Sequence, residues 1–150
     1  MNAPMNAMEL ALEQARLAGA RGEVPVGAVV LGRDGAVIAR AGNESEESRD
    51  ASAHAEMLAL RRAAGVIGSA RLSDCGLVVT LEPCPMCAAA IGLFRVRRLI
   101  FGAYDPKGGG VEHGPRIYQT GFPHRPDEII GGVREAECGS LLKEFFEALR

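Results

Sequence analysis

The sequence predicts an α/β protein, a three-layer α/β/α domain on a mixed five-stranded sheet flanked by helices. Three observations carry this prediction. Stretches with apolar residues at helical spacing alternate with short apolar runs rich in β-branched residues. The first two such runs flank Gly32-Arg33-Asp34-Gly35, a turn that joins antiparallel neighbours. After that hairpin the strands are separated by helices or a long loop, a pattern that lays helices on the faces of a sheet.

Met8 to Arg21 reads as an amphipathic helix, with Leu10, Ala11, Ala15 and Leu17 on or near one face and Gly22 ending it. Val26 to Leu31 is apolar and β-branched, hence a strand, and Ala36 to Arg40 is its hairpin partner. Ser48 to Ser52 leads into a helix that begins at His54, carries Ala55, Met57, Leu58 and Leu60, and is closed by Gly65. Leu77 to Leu81 is a short buried strand that delivers Cys84. The helix bearing Cys84 and Cys87 runs to about Leu93, and Leu99 to Ala103 is the next strand. Asp105 to Pro123 is loop-like, rich in Gly and Pro, and long for a compact domain; such loops are often functional. Asp127 to Gly131 is a weak final strand. Ala136 to Leu149 is a helix whose stripe of Leu141, Leu142, Phe145 and Phe146 is expected to enter the core.

At 150 residues the chain reads as one domain, spanning 1–150, long enough for a full hydrophobic core. Apolar content of 47% against 24% charged residues excludes a disordered chain. No run approaches a membrane span and the N-terminus lacks a basic-then-apolar signal pattern, so the expected location is the cytoplasm. Four cysteines, two of them in a metal-type motif, fit a reducing compartment better than a disulfide framework. Cys75 and Cys138 are expected as small core residues. A net charge of −2 argues against a general nucleic-acid binder, but its distribution is uneven. Arg95, Arg97, Arg98, Lys107, Arg116 and Arg125 face only two acidic residues in the same stretch, Asp105 and Glu112, whereas Glu44, Glu46, Glu47 and Asp50 make the loop before His54 acidic. A charge run is usually a solvated face, and the basic stretch is equally compatible with phosphate contact.

His54-Ala55-Glu56, followed by Pro83-Cys84-Pro85-Met86-Cys87, carries the chemistry. One imidazole and two thiolates three residues apart supply three ligands for a tetrahedral zinc ion and leave its fourth position open. Pro85 lies in the first turn of a helix, where a missing N–H costs little, and that turn favours thiolate through its free N–H groups and dipole. His54 would come from a second helix N-terminus nearby. Two thiolates cancel the charge of zinc, so a bound water is acidified less than in a three-histidine site. A carboxylate must then move its proton, and Glu56 is placed to do so. The competing readings are a structural zinc knuckle and a redox Cys-x-x-Cys. The first needs a fourth ligand from Cys75, Cys138, His113 or His124, none at knuckle spacing; the second has no need of His54 or Glu56. An inactive zinc-stabilised binding module has no use for Glu56 either.

The chain resembles the cytidine-deaminase-like superfamily and, within it, the bacterial tRNA-specific adenosine deaminases. The likeness runs from about Met8 to Phe146 through Glu23-Val24-Pro25-Val26-Gly27-Ala28-Val29, Gly42-Asn43, the two metal motifs with Thr80-Leu81-Glu82 before the cysteines, Phe101-Gly102-Ala103, Asp105, Lys107, Glu137-Cys138 and Phe145-Phe146. The resemblance implies a cytidine-deaminase-like fold, zinc as cofactor, hydrolytic deamination of the wobble adenosine in a tRNA anticodon loop, and a homodimer with substrate crossing the subunit boundary. It implies His54, Cys84 and Cys87 as zinc ligands, Glu56 as proton shuttle and Asn43 as the residue that hydrogen-bonds the target base. It further implies Val26 on the pocket wall and the Ala55 backbone facing the base. A deaminase of guanine or another free base is the alternative, because those enzymes share the fold, the metal motif and often a proline between the cysteines. A flipped adenosine enters with its sugar and phosphates attached and needs an open mouth with a phosphate-holding rim; a free base allows the mouth to close.

Overall fold

A computed structural model describes residues 3–150. Its elements run α1 (Ala3–Ala20), β1 (Gly27–Leu31), β2 (Val37–Gly42), α2 (Ala55–Ile67), β3 (Gly76–Leu81), α3 (Pro85–Leu93), β4 (Arg98–Ala103), β5 (Glu128–Ile130) and α4 (Glu135–Ala148). A short 3-10 turn, Ile117–Gln119, lies in the loop before β5. The strands form one sheet in the order β2-β1-β3-β4-β5, with β1 antiparallel to both neighbours and β3, β4 and β5 mutually parallel. This is the mixed five-stranded α/β/α arrangement that the alternation of elements predicts.

Strand residues point alternately to two cores, as the period of two requires. Ala28, Val30, Leu77, Val79, Leu99 and Phe101 face α2 and α3. Val29, Leu31, Val78 and Ile100 face α1 and α4. Phe101 is fully buried, and its truncation to Ala would cost about 3–5 kcal/mol. Helix α1 lies so close to the sheet that a Cβ on Gly27 would sit 1.9 Å from the Ala11 carbonyl oxygen. Glycine at that position is therefore a packing requirement.

Several boundaries differ from expectation. The buried stripe of α1 is Met8, Ala11, Leu12, Ala15 and Ala18, while Leu17 is exposed. Helix α2 passes through Gly65 and ends at Gly68, whose φ of 76° makes it the left-handed cap, with its N–H donating to the Ala64 carbonyl. Glycine inside a helix is tolerated on an exposed face, where nothing must fill the missing side chain's place. The phenylalanines of α4 are not core residues. Phe145 is half-buried and Phe146 is 46% exposed, where the helix borders a surface groove with Tyr104 and Lys107. Leu141 and Leu142, one turn earlier, do pack against the two cores.

The polarity of the strands sets the location of the site. The carboxyl ends of β3 and β4, the start of β1 and the end of β2 all meet at one edge, which brings Val26, Asn43, Cys84 and Asp105 together. Crevices at the carboxyl ends of parallel strands are the usual ligand sites of such sheets.

Candidate metal centre

Two helices aim their N-termini at this edge. His54 is the N-cap of α2 and Cys84 the N-cap of α3, both in extended conformation, and neither side chain caps its own helix. Pro85 occupies the first turn of α3, as expected. Cys87, one turn in, returns to the same side. His54, Cys84 and Cys87 offer three donor atoms that all lie within 4.8 Å of one another, a group that could hold a metal ion.

The donor geometry fits zinc. His54 Nδ1 lies 3.6 Å from Cys84 Sγ and 3.5 Å from Cys87 Sγ. A tetrahedral ion with ordinary Zn–N and Zn–S bond lengths separates such atoms by about 3.6 Å. One cation at the centre of the three would satisfy all of them at bonding distance. The electrostatics point the same way. A hydrogen bond from Cys87 pulls the Cys84 thiol down to about 4, and the same contact together with burial pushes Cys87 far upward. A cation between the two sulfurs would favour the thiolate form of both.

Glu56 lies in the first turn of α2, buried and lining the cavity beside His54 and Cys84. Burial pushes its carboxyl up to about 7, well above the ordinary glutamate value. Asn43 and Val26 line the same cavity of about 310 Å³, together with Val24, Ser45 and Leu81. Asn43 Oδ1 accepts the Ala55 N–H at 2.8 Å, which leaves the asparagine NH₂ as its free donor. The Ala55 N–H is thus engaged inside the protein.

Two buried carboxylates escaped the sequence reading of roles. Glu23 accepts the N–H groups of Glu46 and Glu47 at 3.1 and 2.9 Å and so holds the acidic loop beside the cavity. Glu44 of that loop pairs with Arg62 at 3.2 Å. Glu82, at the opposite wall of the cavity, collects the Asp105–His113 segment. The available signal was a charged residue at the end of an apolar strand, which burial forces to find partners.

The basic residues do not form one surface. Arg97 and Arg98 sit at the start of β4, at the far end of the sheet, and pair with Asp127 and Glu128. A six-residue strand separates them from the site by roughly 17 Å. Arg95 and Arg125 share another surface hollow with His124. Arg116 donates to the Glu112 carbonyl. Lys107 is the exception. It lines a groove of about 500 Å³ with Tyr104 and Phe146, and this groove shares Val24, Leu81, Asp105 and Gly108 with the metal cavity. Contiguity in sequence did not translate into contiguity in space.

The comparisons with known proteins agree with this geometry. Residues 1–103 match the model of the cytidine and deoxycytidylate deaminase zinc-binding region. A protein named tRNA-specific adenosine deaminase from Agrobacterium fabrum is 50% identical over 95% of this chain and 93% of its own length. A solved structure from studies of A-to-I editing by tRNA deaminases at the wobble position of transfer RNA superposes with a TM-score of 0.88 at 50% identity, over 91% of this chain and 99% of that one. A solved structure of guanine deaminase from Nitrosomonas europaea superposes at 0.77 with 30% identity, over 97% of this chain and 85% of that one.

Proposed function

The chain belongs to the cytidine and deoxycytidylate deaminase zinc-binding family, on the branch of the tRNA-specific adenosine deaminases, and we infer that its pocket converts the wobble adenosine of a tRNA to inosine. It is a zinc-dependent hydrolase. The observation that carries the substrate is the end-to-end likeness to a tRNA-specific adenosine deaminase, stronger than the likeness to a guanine deaminase.

In this reading His54, Cys84 and Cys87 hold the zinc. A zinc ion held there would supply Lewis acidity to a water at its open position; the net reaction replaces the C6 amine of the purine by oxygen, consuming water and releasing ammonia. Glu56 moves the protons. A carboxyl held near neutrality by burial can take a proton from water, place it on the ring nitrogen and return a second to the departing amine. Asn43 presents its free NH₂ to an acceptor on the base edge, while Val26 supplies an apolar wall. The Ala55 backbone acts through Asn43, whose amide it orients.

The helix α3 runs Pro85–Leu93, is apolar on all sides, and leaves Met86 and Leu93 exposed. That exposed apolar surface supports a homodimer, with the anticodon loop as the macromolecular ligand of the assembled site. Among the described residues no helix is long and apolar enough to cross a membrane. A tRNA substrate suits a cytoplasmic enzyme, and the chain acts as one deaminase domain.

Ammonia release, measured side by side on an anticodon stem-loop with wobble adenosine and on free guanine, tests the reading. Turnover of the stem-loop alone is expected; turnover of guanine alone would replace it with the free-base reading.

A further inference from the structure

We infer that Glu82 is a positioning residue for the substrate: its buried carboxylate fixes the Asp105–His113 loop that walls the metal pocket. The inference rests on the tRNA reading above and adds a residue to which that reading gives no part. Glu82 closes β3 and its side chain has no exposed area. Oε1 accepts the Asp105 N–H at 3.0 Å and lies 2.8 Å from His113 Nδ1. Oε2 accepts the N–H groups of Val111, Glu112 and His113 at 3.2, 2.8 and 3.0 Å. Since an ionised carboxylate only accepts, His113 Nδ1 carries the proton in this contact. Five donors from one loop converge on two oxygens.

The loop is shaped to meet that carboxylate. A Cβ on Gly109 would stand 2.5 Å from Glu82 Oε2, and one on Gly110 would stand 2.5 Å from the Pro85 nitrogen. Gly110 also donates its N–H to the Pro83 carbonyl at 2.8 Å. The inner side of the loop is therefore clamped to the segment that carries Cys84. Its other side forms the wall: Asp105 and Gly108 line both the metal cavity and the adjoining groove, and Lys107 projects into that groove. Glu82 is among the residues of the metal cavity, but its carboxylate is unexposed and fully engaged, so it acts on substrate through the loop. It sets where the wall stands, and an RNA strand gripped between this wall and the Asn43 side feels any shift of it. A wall displaced by about 1 Å changes binding without changing the metal or Glu56.

Glu82→Gln presents one NH₂ to a set of donors and tests the inference directly. KM for the wobble-adenosine stem-loop is expected to rise about tenfold or more while kcat stays within about threefold, since uniform binding is what is lost. Zinc should remain at one ion per chain, and hydrogen exchange should quicken at the amides of Asp105 and Val111 to His113. Glu82→Asp, which keeps the acceptors, should recover part of the KM loss. Gly109→Ala pushes the loop off an unaltered Glu82 and should raise KM in the same way. A KM within about twofold of wild type in Glu82→Gln, a loss confined to kcat, or a loss that tracks missing zinc would each overturn the inference. Should Glu82→Gln fail to fold, His113→Ala removes one contact and leaves the four backbone donors; its KM should rise severalfold, and an unchanged KM overturns the inference. If the wild-type enzyme turns over guanine and not the stem-loop, the tRNA reading fails, and the same KM comparison on guanine still decides the part played by Glu82.

Discussion

Asn43 Oδ1 accepts the backbone N–H of Ala55 at 2.8 Å, joining the residue after β2 to the first residue of α2. One bond thereby links the wall of the pocket to the helix that presents His54 and Glu56. It also determines which end of the amide remains for substrate. The oxygen is engaged, so Asn43 meets the base as a donor.

Asn43→Asp keeps the acceptor toward Ala55 and replaces the donor by a second acceptor. Its melting temperature should stay within a few degrees of wild type, while turnover falls by roughly 10²-fold or more because an acceptor on the base is left facing a carboxylate. Asn43→Ala should lose turnover similarly and be the less stable of the two. Parallel thermal melts and ammonia-release assays separate these outcomes; loss of stability in proportion to activity in Asn43→Asp would make Asn43 only a turn residue.

The metal prediction follows from donor spacing. Purified protein should contain one zinc per chain by elemental analysis, and Cys87→Ala should lose most of it together with activity. Chelation should lower the melting temperature as well as abolish turnover, because three donors converge from two separate helix starts. Added zinc should restore both. A Cys87→Ala enzyme with full zinc and full rate would place the ion elsewhere.

Glu56→Ala should retain zinc and fold yet lose turnover by at least roughly 10²–10⁴-fold, since one carboxyl is asked to move more than one proton. Elemental analysis and single-turnover rates check the two halves of the statement. Retention of a large fraction of the wild-type rate would assign the proton transfers to another group.

Lys107 borders the groove beside the site, whereas Arg98 begins β4 at the other end of the sheet and pairs with Glu128. Lys107→Ala should therefore weaken stem-loop binding and reduce its salt dependence by about one phosphate contact, and Arg98→Ala should do neither. Binding titrations at several salt concentrations distinguish the pair. Equal effects from both would mean that the RNA track reaches around the molecule.

Leu93 is 59% exposed at the end of a helix made wholly of apolar residues. Leu93→Glu should convert a dimer seen by light scattering at micromolar concentration into monomer, with the far-UV spectrum preserved. A wild-type chain that is monomeric under those conditions refutes the dimer.

Much of this molecule was decided locally and is legible in its sequence. Short continuous apolar runs specify the strands, because a sheet buried on both faces needs apolar residues at successive positions. A histidine, a glutamate and two cysteines at their spacings specify the metal chemistry, because zinc accepts few donor types and a helix turn places i and i+3 side by side. The tertiary structure decided what depends on distance through space. Arg97 and Arg98 belong to the far end of the sheet because strand polarity, which their composition does not encode, sends β4 away from them toward the site. Phe146 borders a groove with Tyr104 and Lys107, although its helical stripe reads as core, because which turns of a helix are covered depends on the elements packed against them. Glu82 reads as one charged residue just after a strand, and only closure of a loop 23 to 31 residues downstream reveals its role. A buried carboxylate must find donors, but which donors reach it is settled by the fold.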